Sequence, residues 1–331
     1  MTAASPESYT MLEALKIALD NALEEDKRVI VLGEDVADPE GGGVLGVTRG
    51  LSTKYGGLRV RSTPISEQAI MGAAIGASLG GYLPVAEIML MNFTTVAMDM
   101  ITNHAAKLRF MSGGQTHVPI TIRMLTGAGF GAGGQHTDYL EAWFAHTAGL
   151  KVVAPATPAD AEGLMRSCIF DEDPCLFIEN LQIYRTPGPR LPAGQRIPIG
   201  KGAIVRSGGD VTVVAHSRMV RESNVAADTL AKDGISVELL DLRTVAPWDR
   251  DLVLASVAKT RRAVIVHEAV RAFGIGAEIA AVINEELFGQ LKAAVRRVGA
   301  PFCPVPYSKP LETAFVPSPT KIEAAIRSTL D

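Results

Sequence analysis

The sequence predicts an α/β protein built on parallel β-sheet and divided into two successive domains. Three observations carry this. Short, wholly apolar runs such as Val29-Ile30-Val31-Leu32-Gly33 have the composition of strands buried on both faces. Segments with apolar residues at helical spacing alternate with them. A stretch rich in proline and glycine, Arg185 to Gly200, breaks the alternation once before it restarts.

Each element follows from local chemistry. Thr10-Met11-Leu12-Glu13 has capping-box spacing, and Leu12, Leu15, Leu19, Ala22 and Leu23 recur on one helical face, so a helix runs to about Glu25. After the strand 29–33, a small-residue helix is expected over 66–79, a strand over 85–91, a helix over 94–110 and a strand over 118–125. Residues 136–148 read as partly helical and 151–153 as a strand. Thr157-Pro158-Ala159-Asp160 supplies an N-cap, a proline at the first helical position and an early acid, opening a helix to Ile169. Cys175 to Glu179 is the next strand. Beyond the break, strands are expected over 211–215, 237–241, 263–267 and 295–298, with helices over 219–233, 249–259, 277–287 and 320–330. The domains are therefore set at 1–188 and 200–331, with 189–199 as a proline-rich linker.

Composition narrows the function. Apolar residues make up 47% and charged residues 21%, the balance of a globular chain and not of a disordered or fibrous one. The net charge of −4 comes with no basic run, so no nucleic-acid face is expected. Cys168, Cys175 and Cys303 are too scattered for a disulfide framework or zinc site and read as small apolar residues in a reducing compartment. Met1 to Pro6 lacks the basic-then-apolar pattern of a secretion signal, and the apolar run Tyr82 to Phe93 is broken by Pro84 and Glu87. A cytoplasmic protein with no membrane span is expected.

Several local patterns invite chemistry. Gly129-Phe130-Gly131-Ala132-Gly133-Gly134 matches dinucleotide-binding glycine spacing, but the following strand runs into Ala154-Pro155 instead of the ribose-binding acid, so a mobile ligand loop is the better reading. His136, just past that loop, is either structural or placed for a ligand. Glu67 begins a helix after Thr63-Pro64-Ile65-Ser66, where Pro64 keeps Thr63 extended and Ser66 can cap. The helix dipole alone favours Glu67 as an anion. A chemical role needs apolar surroundings or a ligand that raises its proton affinity. Spacing alone gives no chemistry to Glu87 or Glu34-Asp35. Phosphate-loop, serine-hydrolase and zinc-peptidase motifs are absent.

Leu32-Gly33-Glu34-Asp35-Val36, Thr63 to Glu67, Met111-Ser112-Gly113-Gly114, Gln135-His136, Ala145-His146 and Ala148 to Val153, with Leu240-Asp241-Leu242-Arg243-Thr244 and Pro304-Val305-Pro306, together define a pattern across nearly the whole chain. It resembles the β subunit of the thiamine-diphosphate-dependent decarboxylase component of 2-oxo acid dehydrogenase complexes. Gly42 to Gly50 and Ala300 to Pro306 look closest to the acetoin dehydrogenase β subunit, and the chain as a whole to the acetoin and pyruvate dehydrogenase β subunits. The resemblance implies a transketolase-like fold, a pyrimidine-binding domain followed by a smaller C-terminal domain, within an α2β2 tetramer. Glu67 matches the carboxylate that hydrogen-bonds the cofactor's aminopyrimidine ring and promotes its activation. Phe93 matches the aromatic packed on that ring, with Met89 and Ile65 beside it, and His136 the histidine on the substrate side. A potassium site is implied near Ile120, Thr121, Cys168, Asp171 and Asp173, where Asp173 replaces the Asn common in relatives.

The family binds magnesium diphosphate through a Gly-Asp-Gly stretch that this chain lacks, so the resemblance assigns that end, with Mg2+, to the α subunit. A lipoyl acyltransferase core is the further partner implied, and acetoin or a 2-oxo acid the small-molecule substrate. Gln68-Ala69-Ile70 and Thr137-Asp138-Tyr139 depart from the family pattern on the substrate side. Two other roles fit the same sequence: a stand-alone carboligase subunit, and a mainly structural docking subunit.

Overall fold

The computed structural model describes residues 8–331, so the N-terminal stretch read above for a secretion signal lies outside the described residues. Thr10 opens the first helix, Met11–Glu25, with the expected box: its hydroxyl accepts from the Glu13 N–H at 3.3 Å, and the Glu13 carboxylate accepts from the Thr10 N–H at 2.7 Å. The buried stripe of Leu15, Leu19 and Leu23 meets Leu164 and Met165 of helix Pro158–Ile169 and Val29, Val31 and Phe177 of the sheet in one apolar core. That second helix starts as its sequence demands, with Thr157 accepting from the Asp160 N–H at 3.1 Å and Pro158 in the first turn.

The chain forms two compact units. The first runs through Thr126 and resumes over Trp143–Ile199. Its parallel strands lie side by side in the order Lys151–Val153, Cys175–Asn180, Thr121–Thr126, Leu83–Leu90, Val29–Gly33, Val60–Ser62. The second unit comprises Gly127–Ala142 and Gly200–Asp331. It holds a five-stranded sheet in the order Arg296–Ala300, Ala263–Val270, Val211–Ala215, Val237–Asp241, Ala203–Arg206, parallel except for the last pair. No helix among the described residues is long and apolar enough to cross a membrane.

Departures from the expected elements have local causes. The continuous helix expected over 94–110 is instead a 3₁₀ turn at Met91–Thr95, a π-helical stretch at Met100–Ala105 and a short α-helix at Leu108–Met111. The hydroxyls of Thr94, Thr95 and Thr102 donate to the carbonyls of Met91, Asn92 and Met98, competing with regular helical bonding. Within the proline-rich stretch, Pro187–Pro189 pairs antiparallel with Ser8–Thr10. Prolines are tolerated there because a two-stranded ribbon leaves donors unused at its edge. Strand Ala203–Arg206 and helix Lys309–Phe315 carry too few periodic apolar residues to stand out in the sequence.

One register detail positions the site. Gly33 lies opposite Glu87, and Glu87 opposite Arg123, on adjacent parallel strands. A Cβ on Gly33 would sit 2.8 Å from both the Cβ and the carbonyl oxygen of Glu87. Gly33→Ala is therefore expected to destabilise the protein by about 1–3 kcal/mol through overpacking. Urea unfolding should show a lowered midpoint at constant slope; an unchanged midpoint would show that the strands part without cost.

Candidate active site

Glu67 heads the helix Glu67–Leu79 in the first unit and is only 7% exposed. Ser66 occupies the N-cap position, but its side chain makes no capping bond, contrary to the expectation from sequence. No ion pair among the described residues neutralises Glu67. Its neighbour Glu34 is also buried, with Oε1 lacking a hydrogen-bond partner. Burial pushes the Glu34 carboxyl above the usual carboxylate range, and the negative charges of Glu67, Asp35 and Glu87 push it further. Tertiary structure thus brings Glu34 and Glu67 together as a carboxylate pair, which their spacing in sequence does not show.

Beside them a cleft is lined by Gly43, Val44, Leu45 and Val47 and by Glu87, Met89, Arg123, Glu179 and Tyr184. Arg123 crosses its floor. Its Nε and Nη2 donate to Glu179 at 2.7 and 2.9 Å, and Nη1 donates to Glu87. The Tyr184 hydroxyl donates to Glu179 as well. Burial raises the Glu87 carboxyl and Arg123 opposes that shift. Met89 and Phe93 are half-buried, whereas Ile65 is 82% exposed. All four residues expected around a pyrimidine ring, Ile65, Glu67, Met89 and Phe93, belong to this unit.

Residues 7–187 match the family described as transketolase, pyrimidine binding domain, and residues 200–322 match transketolase, C-terminal domain. The β subunit of acetoin:2,6-dichlorophenolindophenol oxidoreductase from Cupriavidus necator is 44% identical, with 96% of each chain covered. The mitochondrial pyruvate dehydrogenase E1 component subunit beta-2 of Oryza sativa subsp. japonica is 42% identical over 98% of this chain and 87% of its own. This chain belongs to the transketolase-like family of acetoin and pyruvate dehydrogenase β subunits. A solved structure described as a split-gene transketolase, an inactive β4 tetramer, shares the fold with a TM-score of 0.79 at 22% identity, covering 97% of both chains.

His136 of this family member lies in the second unit, on the short helix Gly134–Thr137, and is half-buried. The Thr137 hydroxyl and His136 N–H both donate to the Gly133 carbonyl, at 2.7 and 3.2 Å. The segments carrying the expected potassium ligands do converge, since the Cys175 N–H donates to the Ile120 carbonyl at 2.9 Å and Cys175 pairs in register with Thr121. The acids already have cations, however. Lys151 Nζ is 2.6 Å from Asp171, and Arg109 Nη1 is 2.6 Å from Asp173. The Cys168 carbonyl accepts from the Asp171 N–H at 3.2 Å. Among the described residues no His, Cys, Asp or Glu cluster is set to hold a metal ion, so potassium here would rest on main-chain oxygens.

The second unit also buries Glu141, neither of whose oxygens has a hydrogen-bond partner. Burial, and then the nearby Glu268, push its carboxyl up to about 8, against an opposing backbone contribution. His216 and His267 are buried too, and burial pushes them down to about 3 and about 4.

Two outcomes follow. Arg123→Met, which leaves Glu87 and Glu179 without their cation, should cost about 3–5 kcal/mol in chemical unfolding. Adding Glu87→Gln and Glu179→Gln should recover much of that loss; no recovery would mean that packing, not charge, is what Arg123 supplies. For Glu141, the folded state holds a proton that the unfolded chain releases in the ordinary carboxylate range. Stability is therefore lost as pH rises toward about 8, by at most about 1.4 kcal/mol per pH unit. The two histidines act oppositely, and only below their unfolded value of about 6.5. Unfolding free energies between pH 6.5 and 8 should thus fall in the native protein and stay flatter in Glu141→Gln.

Proposed function

We propose that the chain is the β subunit of an α2β2 thiamine-diphosphate-dependent oxidoreductase component that cleaves acetoin or a 2-oxo acid and passes the acyl group to a lipoyl acyltransferase. The observation that carries this reading is Glu67: a buried carboxylate without an ion-pair partner, at a helix start in a pyrimidine-binding domain. Bound thiamine diphosphate supplies a nucleophilic carbon and an electron sink. Glu67 would hydrogen-bond the aminopyrimidine ring nitrogen and hold a proton there, with the raised Glu34 carboxyl as a second proton-holding group beside it. Met89, Phe93 and Ile65 would supply apolar surface to the ring, and His136 a proton-carrying imidazole toward the substrate.

The residues fit the pyrimidine end of the cofactor. For the diphosphate and its Mg2+ this chain offers no Gly-Asp-Gly stretch, which supports an α partner holding that end. Exposed Ile65, Leu79, Val96, Phe110 and Met111 on the same unit support apolar surface available to such a partner. Potassium, if bound near Ile120 and Cys168, would serve the fold of that corner.

The test is co-purification with the α chain, followed by assay with acetoin, pyruvate and branched 2-oxo acids and an artificial electron acceptor. Glu67→Gln should lower kcat at least ~100-fold with the tetramer intact. Undiminished turnover would leave only a docking role. Tight thiamine diphosphate and magnesium binding by the chain alone would overturn the half-site assignment, and formation of a new C–C bond with neither electron acceptor nor lipoyl partner would favour a carboligase.

A further inference from the structure

The segment Gly127–Ala142 begins with a run rich in glycine and carries His136. Gly127, Gly129, Gly131 and Gly133 all adopt positive φ, at 114°, 127°, 76° and 70°. These glycines have a large conformational entropy to lose and no side chains of their own to pack. What fixes it comes from the rest of the second unit. Glu312, on helix Lys309–Phe315 and 2% exposed, accepts from the Gly129 N–H at 2.6 Å and from the Gly131 N–H at 3.1 and 3.3 Å through its two oxygens. Glu268 accepts from the Ala128 N–H at 2.8 Å, and Arg218 Nη1 donates to the Ala128 carbonyl at 2.9 Å. Successive amides on one loop therefore point at buried carboxylates, which are charge-assisted and directional acceptors.

The Tyr307 ring closes the far side. A Cβ on Gly133 would come within 2.7 Å of Tyr307 Cδ2, so only glycine lets the loop lie against that ring. Gly133 is also the residue whose carbonyl receives the His136 N–H and the Thr137 hydroxyl. A chain of contacts thus runs from the Glu312 carboxylate through the Gly129 and Gly131 amides to the turn that orients His136.

We propose that Glu312 is a positioning residue for the reaction, clamping the glycine loop by its backbone and so setting the orientation of His136, with Glu268 as a secondary anchor. This rests on the reading of His136 given above. Glu312 touches neither substrate nor cofactor in this role. Its effect passes wholly through the loop.

The experiment uses the assembled α2β2 enzyme carrying Glu312→Gln, His136→Ala or both, with amide hydrogen exchange of residues 127–137 followed alongside steady-state turnover. Glu312→Gln should speed exchange in that loop and lower kcat about 10- to 100-fold, while the apparent affinity for thiamine diphosphate stays unchanged. In the His136→Ala background it should lower turnover no further, because the two residues act as one unit. An equal fold-loss in both backgrounds overturns the positioning role and makes Glu312 a general scaffold residue. Unchanged loop exchange in Glu312→Gln overturns the clamp itself. Full turnover in His136→Ala overturns the reading of His136, and with it the reason for positioning, while the exchange result still reports on the clamp separately. If Glu312→Gln does not fold, Glu268→Gln replaces it, with the same pattern expected at smaller amplitude and the same outcomes overturning it.

Discussion

Burying Arg123 in the first unit's parallel sheet constrains nearly everything around it. A guanidinium out of water needs carboxylates within reach, and the sheet supplies Glu87 in register on one side and Glu179, opposite Leu125, on the other. Glu87 can lie there because its other neighbour, Gly33, has no side chain. The turn containing Gly43 lies against this row, where a Cβ on Gly43 would be 3.4 Å from Glu87 Oε1. Two carboxylates against one cation leave an excess of negative charge in a poorly solvated place. Glu34 feels it directly, since Glu87 is among the charges that raise its proton affinity. The arrangement that completes the sheet therefore adds, after burial and the charges of Glu67 and Asp35, to the electrostatics beside Glu67.

How much of this the sequence discloses depends on how far the cause lies from its effect. Helices opened by Thr10 and Thr157 are legible because cap and first turn are neighbours in sequence. The strand Val29–Gly33 is legible because burial on both faces removes all polarity from it. The broken region after Met91 is not, because helical spacing survives there while threonine hydroxyls divert the carbonyls. In the site, spacing alone shows Glu67 as an acid at a helix start, the resemblance marks it out, and its burial beside Glu34 needs the fold. Arg123 reads as a charge interrupting an apolar run, and its partner Glu179 lies 56 positions away. Glu312 was beyond reach for the same reason, sitting on a short helix that the sequence pattern does not reveal.

The glycine loop shows a different kind of separation. Gly127–Ala142 follows directly from strand Thr121–Thr126, yet it clusters with the second unit. Glycine density signals a loop near a ligand but not what shapes it. Glycines with positive φ allow the path and supply no rigidity. Rigidity has to come from carboxylates at 268 and 312, far along the chain. A flexible sequence is thus made into a defined surface by acceptors that have no local signature.

The charge balance bears on the half-site assignment independently of any missing motif. Near Glu67 the chain places Glu34, Asp35 and Glu87, and the Arg123 guanidinium beside Glu87 is already engaged by Glu87 and Glu179. A diphosphate brought beside these carboxylates would meet repulsion. An aminopyrimidine ring is suited to the same surroundings, because it can donate to carboxylates and accept from a protonated one. The same carboxylates that suit an aminopyrimidine disfavour an anion, so the charge balance supports the reading that leaves the anionic end to a partner surface.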